Sequence, residues 1–228
     1  MVIERGKRVR ATIVLALALA TATVLAFGPT SGSTATATAS AHGATTSAIA
    51  NKRAFHDAMR RLWSDHVTWT RLFIVSFAAD LPDLPATTDR LLQNQTDIGD
   101  AIAPFYGRAA GDQLTGLLRE HILTAADLLQ AAKSGDDAAF ADAQEAWYTN
   151  ANEIAGFLHA ANPRRWPLAD LRSMMKDHLD LTLAEAAAQL GGDYAESVRL
   201  FDDVETEILH MADTLSAGII GQFPRKFA

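Results

Sequence analysis

The sequence predicts an all-α protein, an antiparallel up-and-down bundle of about six helices behind an apolar N-terminal segment. After residue 46, apolar residues recur with helical spacing throughout the chain. Alternating runs of β-branched residues and Asn-Gly or Asp-Gly hairpin turns, which are typical of strands, are missing from the sequence. Gly and Pro clusters divide the chain into long amphipathic segments joined by short connections, as in antiparallel bundles.

The N-terminal segment has the pattern of a secretory signal. Lys7, Arg8 and Arg10 precede residues 11–27, a run of 17 apolar or near-apolar residues. This run is slightly shorter than the roughly 20 residues of a membrane-spanning helix. Small residues then follow at the spacing that signal peptidase recognises. We therefore expect residues 1–41 to be a signal peptide, or a membrane anchor if they are not cleaved.

This segment predicts that the protein is extracytoplasmic, either secreted or anchored to the outer face of the cytoplasmic membrane. Residues 28–46 are a low-complexity stretch of Gly, Ser, Thr and Ala, which predicts a flexible linker. Residues 42–228 are expected to form one bundle domain, which touches the membrane only through an uncleaved N-terminal segment.

Composition excludes several classes of protein. Without residues 1–41 the chain has 16 basic and 26 acidic residues, a net charge of −10, which disfavours nucleic acid and anionic lipid as partners. The chain has no cysteine, so it forms no disulfide and offers no thiolate ligand. It also lacks a Gly-rich phosphate loop, a GxSxG elbow and an HExxH motif, and an enzymatic role is therefore disfavoured.

Pro and Gly breakers, together with capping residues, define the helices. Thr87 or Thr88, Asp136 or Asp137, and Asp193 are the residue types that cap helix N-termini. The predicted helices cover, in order, residues 47–80, 87 or 88 to 104–107, 109–133, 136 or 137 to 160, from the turn at 162–167 to Gly191, and 193 to 218–221.

Polar residues on apolar helix faces are the candidates for function. At 100° per residue, His66 lies at the centre of the apolar stripe of the first helix. His121 is central on the third helix in the same way, and Asn94 and Gln95 lie among the apolar residues of the second. We therefore expect two imidazoles from separate helices to point into a common core.

One interpretation is a metal- or cofactor-binding site, because helical bundles build such sites from inward-facing histidines and carboxylates. His66 and His121 would be the core ligands of a divalent transition metal. Glu185, Asp97 or Glu207, together with His178 or His210, would complete the set, and Asn94 is a further candidate.

These additional candidates have weaker patterns. His178 lies at the edge of the apolar face of its helix, and His210 lies outside the apolar face of the sixth helix. The pair Glu207-x-x-His210 has the i, i+3 spacing of ferritin-like di-metal proteins, but it occurs once. Arg71 is a helical charge near the apolar stripe of the first helix, and we expect it to form an ion pair at the surface or the rim.

The other interpretation is a structural network, because buried imidazoles and amides are normally hydrogen-bonded to protein groups or to ordered water. Our first hypothesis is a non-enzymatic binding or structural protein with a buried polar network around His66, Asn94 and His121. The metal- or cofactor-binding bundle is the alternative, and a metal-independent hydrolase or transferase is the third.

Three strings also resemble a known family: LWSDHVTWTR at 62–71, LLQNQTDIG at 91–99 and MMKDHLDLT at 174–182. They resemble uncharacterised bacterial proteins with an N-terminal signal or anchor and a helical body. Some such chains carry the label acetylglutamate kinase, but that enzyme is a cytoplasmic α/β protein with Gly-rich nucleotide loops, and this sequence departs from it completely. The resemblance implies an exported helical protein and assigns no catalytic residue.

Overall fold

The computed structural model describes the backbone of residues 36–228 and the side chains of residues 48–228. Six α-helices and one short 3-10 helix make up this part of the chain, and it contains no strand. The helices are α1 (Thr36–Ala78), α2 (Leu84–Tyr106), α3 (Arg108–Ser134), α4 (Asp137–Ala161), α5 (Leu168–Leu190), α6 (Tyr194–Gln222) and the 3-10 helix (Pro224–Phe227). The predicted all-α bundle is confirmed, while residues 1–35 lie outside the described residues, so the export segment stays a prediction.

The start of α1 differs from the prediction. The helix begins at Thr36 rather than at residue 47, so residues 36–46 are helical where a flexible linker was expected. Alanine recurs through these residues and has the highest helix propensity, which favours extending a helix whose later turns are fixed by the core. Residues 28–35 of the predicted linker lie outside the described part of the chain.

Two of the predicted caps are confirmed. Asp136 accepts a hydrogen bond from the Ala139 backbone N–H at 3.0 Å, and Asp193 accepts one from that of Glu196 at 3.1 Å. By contrast, α2 begins at Leu84 instead of Thr87. The next residue is a proline, which has no N–H group, and it is tolerated in the first turn because N–H groups there have no partner within the helix.

The helices form a closed ring. Each packs against its neighbours in the chain, and α6 returns to pack against α1. Short connections make consecutive helices antiparallel. The largest hydrophobic cluster draws fully buried side chains from all six helices, including Ile98, Leu179 and Ile208. Within residues 36–228, none of the helices combines the length and apolarity needed to cross a membrane.

The hairpin of α2 and α3 is closely packed through two glycines. A Cβ added to Gly99 would lie 2.6 Å from the carbonyl oxygen of Gly111, and one added to Gly111 would lie 2.7 Å from that of Gly99. The two backbones therefore touch directly, which sets the spacing between the helices that carry Asn94 and His121.

Candidate functional site

A row of five aromatic rings crosses the interior of the bundle. In order, the row contains Trp63 and His66 of α1, His178 of α5, His121 of α3 and Trp147 of α4. Consecutive ring centroids are 5.8, 5.7, 6.2 and 5.4 Å apart. All five side chains are at most 4% exposed. The fold thus brings three histidines from three helices into direct succession.

The three histidines line one small cavity, the histidine chamber. Met175 of α5 and Met211 of α6 line it too, among apolar side chains, and no acidic residue is in the lining. Its volume is about 10 Å³. A space of this size is close to the minimum for one water molecule or one ion, so it excludes larger ligands unless side chains move.

The tautomer of His121 follows from its partner. Asn150 donates from Nδ2 to the Leu117 carbonyl at 3.1 Å, and its Oδ1 lies 3.1 Å from His121 Nδ1. The Asn150 oxygen is therefore the acceptor, and His121 Nδ1 carries the proton. This leaves a free lone pair on Nε2, as metal coordination or acceptance of a hydrogen bond requires.

The surroundings of His66 are only partly hydrogen-bonded. Asn94 donates to the Leu62 carbonyl at 3.0 Å, and Gln95 donates to the Leu91 carbonyl at 2.7 Å and to Asn94 Oδ1 at 3.2 Å. His66 Nδ1 and Gln95 Oε1 are buried without a hydrogen-bond partner. Asn94 and Gln95 therefore bond to each other and to backbone carbonyls, and no hydrogen bond joins Asn94 to His66 or His121.

His178 faces a carboxylate on α6. Its Nδ1 lies 3.4 Å from Glu207 Oε2, which is too long for a good hydrogen bond. Both oxygens of Glu207 and the Nδ1 of His178 are buried without a hydrogen-bond partner. A buried carboxylate without hydrogen bonds is unfavourable, so this pair is under-satisfied in the same way as His66.

Two of the histidines, His66 and His121, are held in their neutral form. Burial lowers the pKa of His66 well below its ordinary value, and the His178 and His121 rings lower it further. Burial, with a smaller contribution from His178, lowers the pKa of His121 to about 3. At neutral pH these two imidazoles are therefore unprotonated, as metal ligands must be.

Glu185 belongs to a second polar region, the arginine cluster. Arg71 Nη1 lies 2.6 Å from Glu185 Oε1 and 3.2 Å from both the carbonyl oxygen and the hydroxyl of Ser197. Ser197 in turn donates to Gln189 Oε1 at 3.0 Å. Burial raises the pKa of Glu185, and Arg71 opposes this rise. Glu185 is thus occupied by an ion pair, although the sequence placed Arg71 at the surface or rim.

The structure separates the predicted candidates into two groups. His66, His121, His178, Asn94 and Glu185 are buried, and both oxygens of Glu207 are buried. Two others lie apart: Asp97 is partly exposed, 3.7 Å from Arg90, and His210 is exposed, as the helical period predicted. The pair Glu207-x-x-His210 does not act as one motif, since its members lie in different environments.

Sequence reasoning missed Asn150, Met175 and Met211 as parts of the site. Met175 precedes His178 by three positions, so the two share a helix face, and that spacing is the signal that could have identified it. Among the described side chains, no group of three or more histidines and acidic residues has the geometry to hold a metal ion. The described side chains therefore do not bring together a ready-made set of histidines and carboxylates of the kind considered in the metal-binding alternative.

Comparisons with models of protein families, with curated proteins and with solved structures found no match to this chain.

Proposed function

We propose that the protein is a non-enzymatic extracytoplasmic binding protein that holds an occupant of atomic size in its histidine chamber. The observation that carries this proposal is the concentration of unpaired polar atoms around the chamber. Buried side-chain atoms without hydrogen bonds occur on Trp63, His66, Trp147, His178 and Glu207, all within the ring row or touching it. Native interiors leave few such atoms, so their concentration beside one chamber points to a further partner there.

The volume of the chamber and the lone pairs at its wall define which occupants it can hold. Its volume of about 10 Å³ suits an ion or a water-sized molecule. Neutral imidazoles at its wall offer lone pairs, which favours a Lewis-acidic or hydrogen-bonding occupant. An organic substrate does not fit a space of this size, which supports binding rather than catalysis.

A purely structural role is the second candidate, and the arginine cluster favours it. Its ion pair and hydrogen bonds join α1, α5 and α6, as a network that fixes helix register would do. If the chamber has no occupant other than water, this structural role would be the better description of the whole interior.

Native mass spectrometry of the protein purified from its expressing cells tests the proposal. We expect a mass excess over the denatured chain, and its loss in His178→Leu, which removes the central ring of the row. His210→Leu is the matched control, because His210 is exposed on the same bundle and should retain the excess. Equal native and denatured masses in the unaltered protein would overturn the binding proposal and favour the structural one.

Cell fractionation tests the location separately. We expect the chain to be found outside the cytoplasm and, if residues 1–41 are cleaved, to begin after residue 39 or 41. A full-length chain recovered wholly from the cytoplasm would overturn the extracytoplasmic part of the proposal while leaving the chamber unaffected.

A further inference from the structure

We propose that the histidine chamber binds one soft, singly charged transition-metal ion, of which Cu(I) is the natural probe. Its ligands would be His178, one neighbouring imidazole from the ring row, and the thioether of Met175 or Met211. This inference rests on the proposed binding function and names the chemical class of the occupant.

The donor atoms of the chamber are all soft or intermediate. Three imidazoles and two thioethers line it, and the lining contains no carboxylate and no hydroxyl. Thioethers favour Cu(I), imidazoles suit Cu and Zn, and Mg²⁺ or Ca²⁺ requires oxygen ligands that are missing here. Methionine at these two positions therefore distinguishes the chamber from an ordinary apolar wall.

Ring spacing permits a shared ion between adjacent histidines. A ligating nitrogen lies about 2.1 Å from the metal and about 1.1 Å from its ring centre, so two imidazoles sharing an ion have centroids at most about 6.4 Å apart. The centroids of His66 and His178 are 5.7 Å apart, and those of His178 and His121 are 6.2 Å apart. Because no triplet of histidines and acids fits a metal, the proposed site uses one pair and a thioether.

Charge balance favours a monovalent ion. The desolvation free energy of an ion grows with the square of its charge, so a divalent ion needs more compensation from its surroundings than a monovalent one. Glu207, next to His178, supplies one negative charge, and its two carboxylate oxygens have no hydrogen-bond partner. The charge of Glu185 is already balanced by Arg71 at 2.6 Å. One positive charge in the chamber would therefore neutralise the region.

Glu207 also occupies the place of an outer-shell carboxylate. Metal-bound histidines usually donate their second nitrogen to a carboxylate, a carbonyl or water, which fixes the tautomer. His121 Nδ1 has such a partner in Asn150, at 3.1 Å. Glu207 Oε2 lies 3.4 Å from His178 Nδ1, where a small approach would complete the same arrangement. The Nε2 of His121 is left to serve as a ligand atom, and the same holds for His178 once that contact forms.

Met175 separates the chamber from a pocket at the surface. Its side chain lines the histidine chamber and also an open surface pocket of about 200 Å³, together with Arg172 and Asn152. A change of rotamer at this flexible side chain would connect the two spaces. Met175 thus combines the position of a ligand with that of the wall between the chamber and solvent.

Anaerobic titration of metal-free protein with Cu(I), in competition with the chromophoric chelator bicinchoninate, tests the inference. We expect one ion per chain, no binding in His178→Leu, and binding weakened by about tenfold or more in Met175→Leu or Met211→Leu. X-ray absorption of the loaded protein should show a sulfur neighbour at about 2.3 Å that the weakened variant lacks.

The control is Met174→Leu, since Met174 adjoins Met175 in sequence and packs against the core without lining the chamber. It should bind Cu(I) as the unaltered chain does. Methionine-to-leucine changes conserve volume and so preserve the fold, which circular dichroism checks. Failure to bind Cu(I), tighter binding of Zn(II) than of Cu(I), or unchanged affinity in both chamber variants would each overturn the inference. A native occupant other than such an ion would overturn it too, yet leave the proposed binding function standing.

Discussion

The interior contains two polar regions that share helix α5 and differ in how completely their groups are paired. In the arginine cluster, Glu185 has Arg71 at 2.6 Å, and Ser197 both accepts and donates hydrogen bonds. In the histidine chamber, His66, His178 and Glu207 have buried atoms without a hydrogen bond. Both regions have a buried carboxylate, but only one of these is matched by a cation within the protein.

On the proposed function, this difference separates a region whose groups are paired within the protein from one that an occupant would complete. A satisfied ion pair contributes specificity to the fold, and removing one partner is strongly unfavourable. An unsatisfied group lowers stability, and it is retained where it serves binding. The following changes test whether the two regions respond in opposite ways.

Arg71→Met should give the largest loss of stability. It leaves Glu185, whose side chain is 2% exposed, as a buried charge without its partner. We expect the free energy of unfolding to fall by about 3–5 kcal/mol in urea denaturation. Arg199→Met is the control, because Arg199 pairs with Glu196 and Asp203 at the surface, and it should leave stability almost unchanged. Equal losses of stability in the two variants would contradict the conclusion that the arginine cluster depends on its buried ion pair.

Acidification should destabilise the metal-free protein through the chamber. In the unfolded chain His121 takes up a proton below about pH 6.5, whereas in the folded chain its pKa is about 3. The contribution of this histidine to the free energy of unfolding is therefore fully present above about pH 6.5. It falls by about 1.4 kcal/mol for each pH unit between these two pKa values. His121→Leu should reduce the slope of unfolding free energy against pH, measured from pH 7 to 5. An unchanged slope would contradict burial of a neutral ring.

Asn150→Ala should have a moderate effect. It removes the acceptor of His121 Nδ1 and a donor to the Leu117 carbonyl, so the free energy of unfolding should fall by about 1–3 kcal/mol. Asn152→Ala is the matched control on the same helix, because that residue is exposed and bonds only to the carbonyl of Tyr148. A similar loss in both variants would show that the His121–Asn150 contact adds nothing of its own.

Glu207→Leu should have the smallest effect on the stability of the metal-free protein. The direction of this effect distinguishes the two polar regions most clearly. The change removes two buried oxygens that have no hydrogen bond, so stability should rise or change by less than about 1 kcal/mol in urea denaturation. The same variant should bind Cu(I) more weakly, because the balancing charge is gone. A loss of several kcal/mol would place Glu207 in a paired network like that of Glu185.

The sequence was sufficient for the helices and for part of the site, and α5 shows why the rest was missed. His66 and His121 lie among apolar residues, so a hydrophobic stripe identified them as inward-facing. On α5 the buried face includes His178, Thr182, Glu185 and Gln189, and half-polar faces displace the apparent centre of the apolar stripe. His178 therefore looked peripheral, although it is the middle ring of the row.

Long side chains and unpaired atoms were also beyond prediction. Arg71 was assigned to a surface or rim ion pair, because a sequence does not show that its guanidinium reaches Ser197 on α6. Asp97 was a plausible ligand near Asn94, but the turn of the helix directs it to Arg90 instead. Which polar atoms remain without partners depends on all of these contacts at once, so it required the structure.

The backbone contact between Gly99 and Gly111 fixes the distance between α2 and α3. A methyl group added to either residue would meet a carbonyl oxygen at under 3 Å, and the helices would have to separate. Asn94 and His121 would then shift although neither had been altered. Variation at a remote, chemically inert position would in this way change the spacing of the imidazoles without altering any of them.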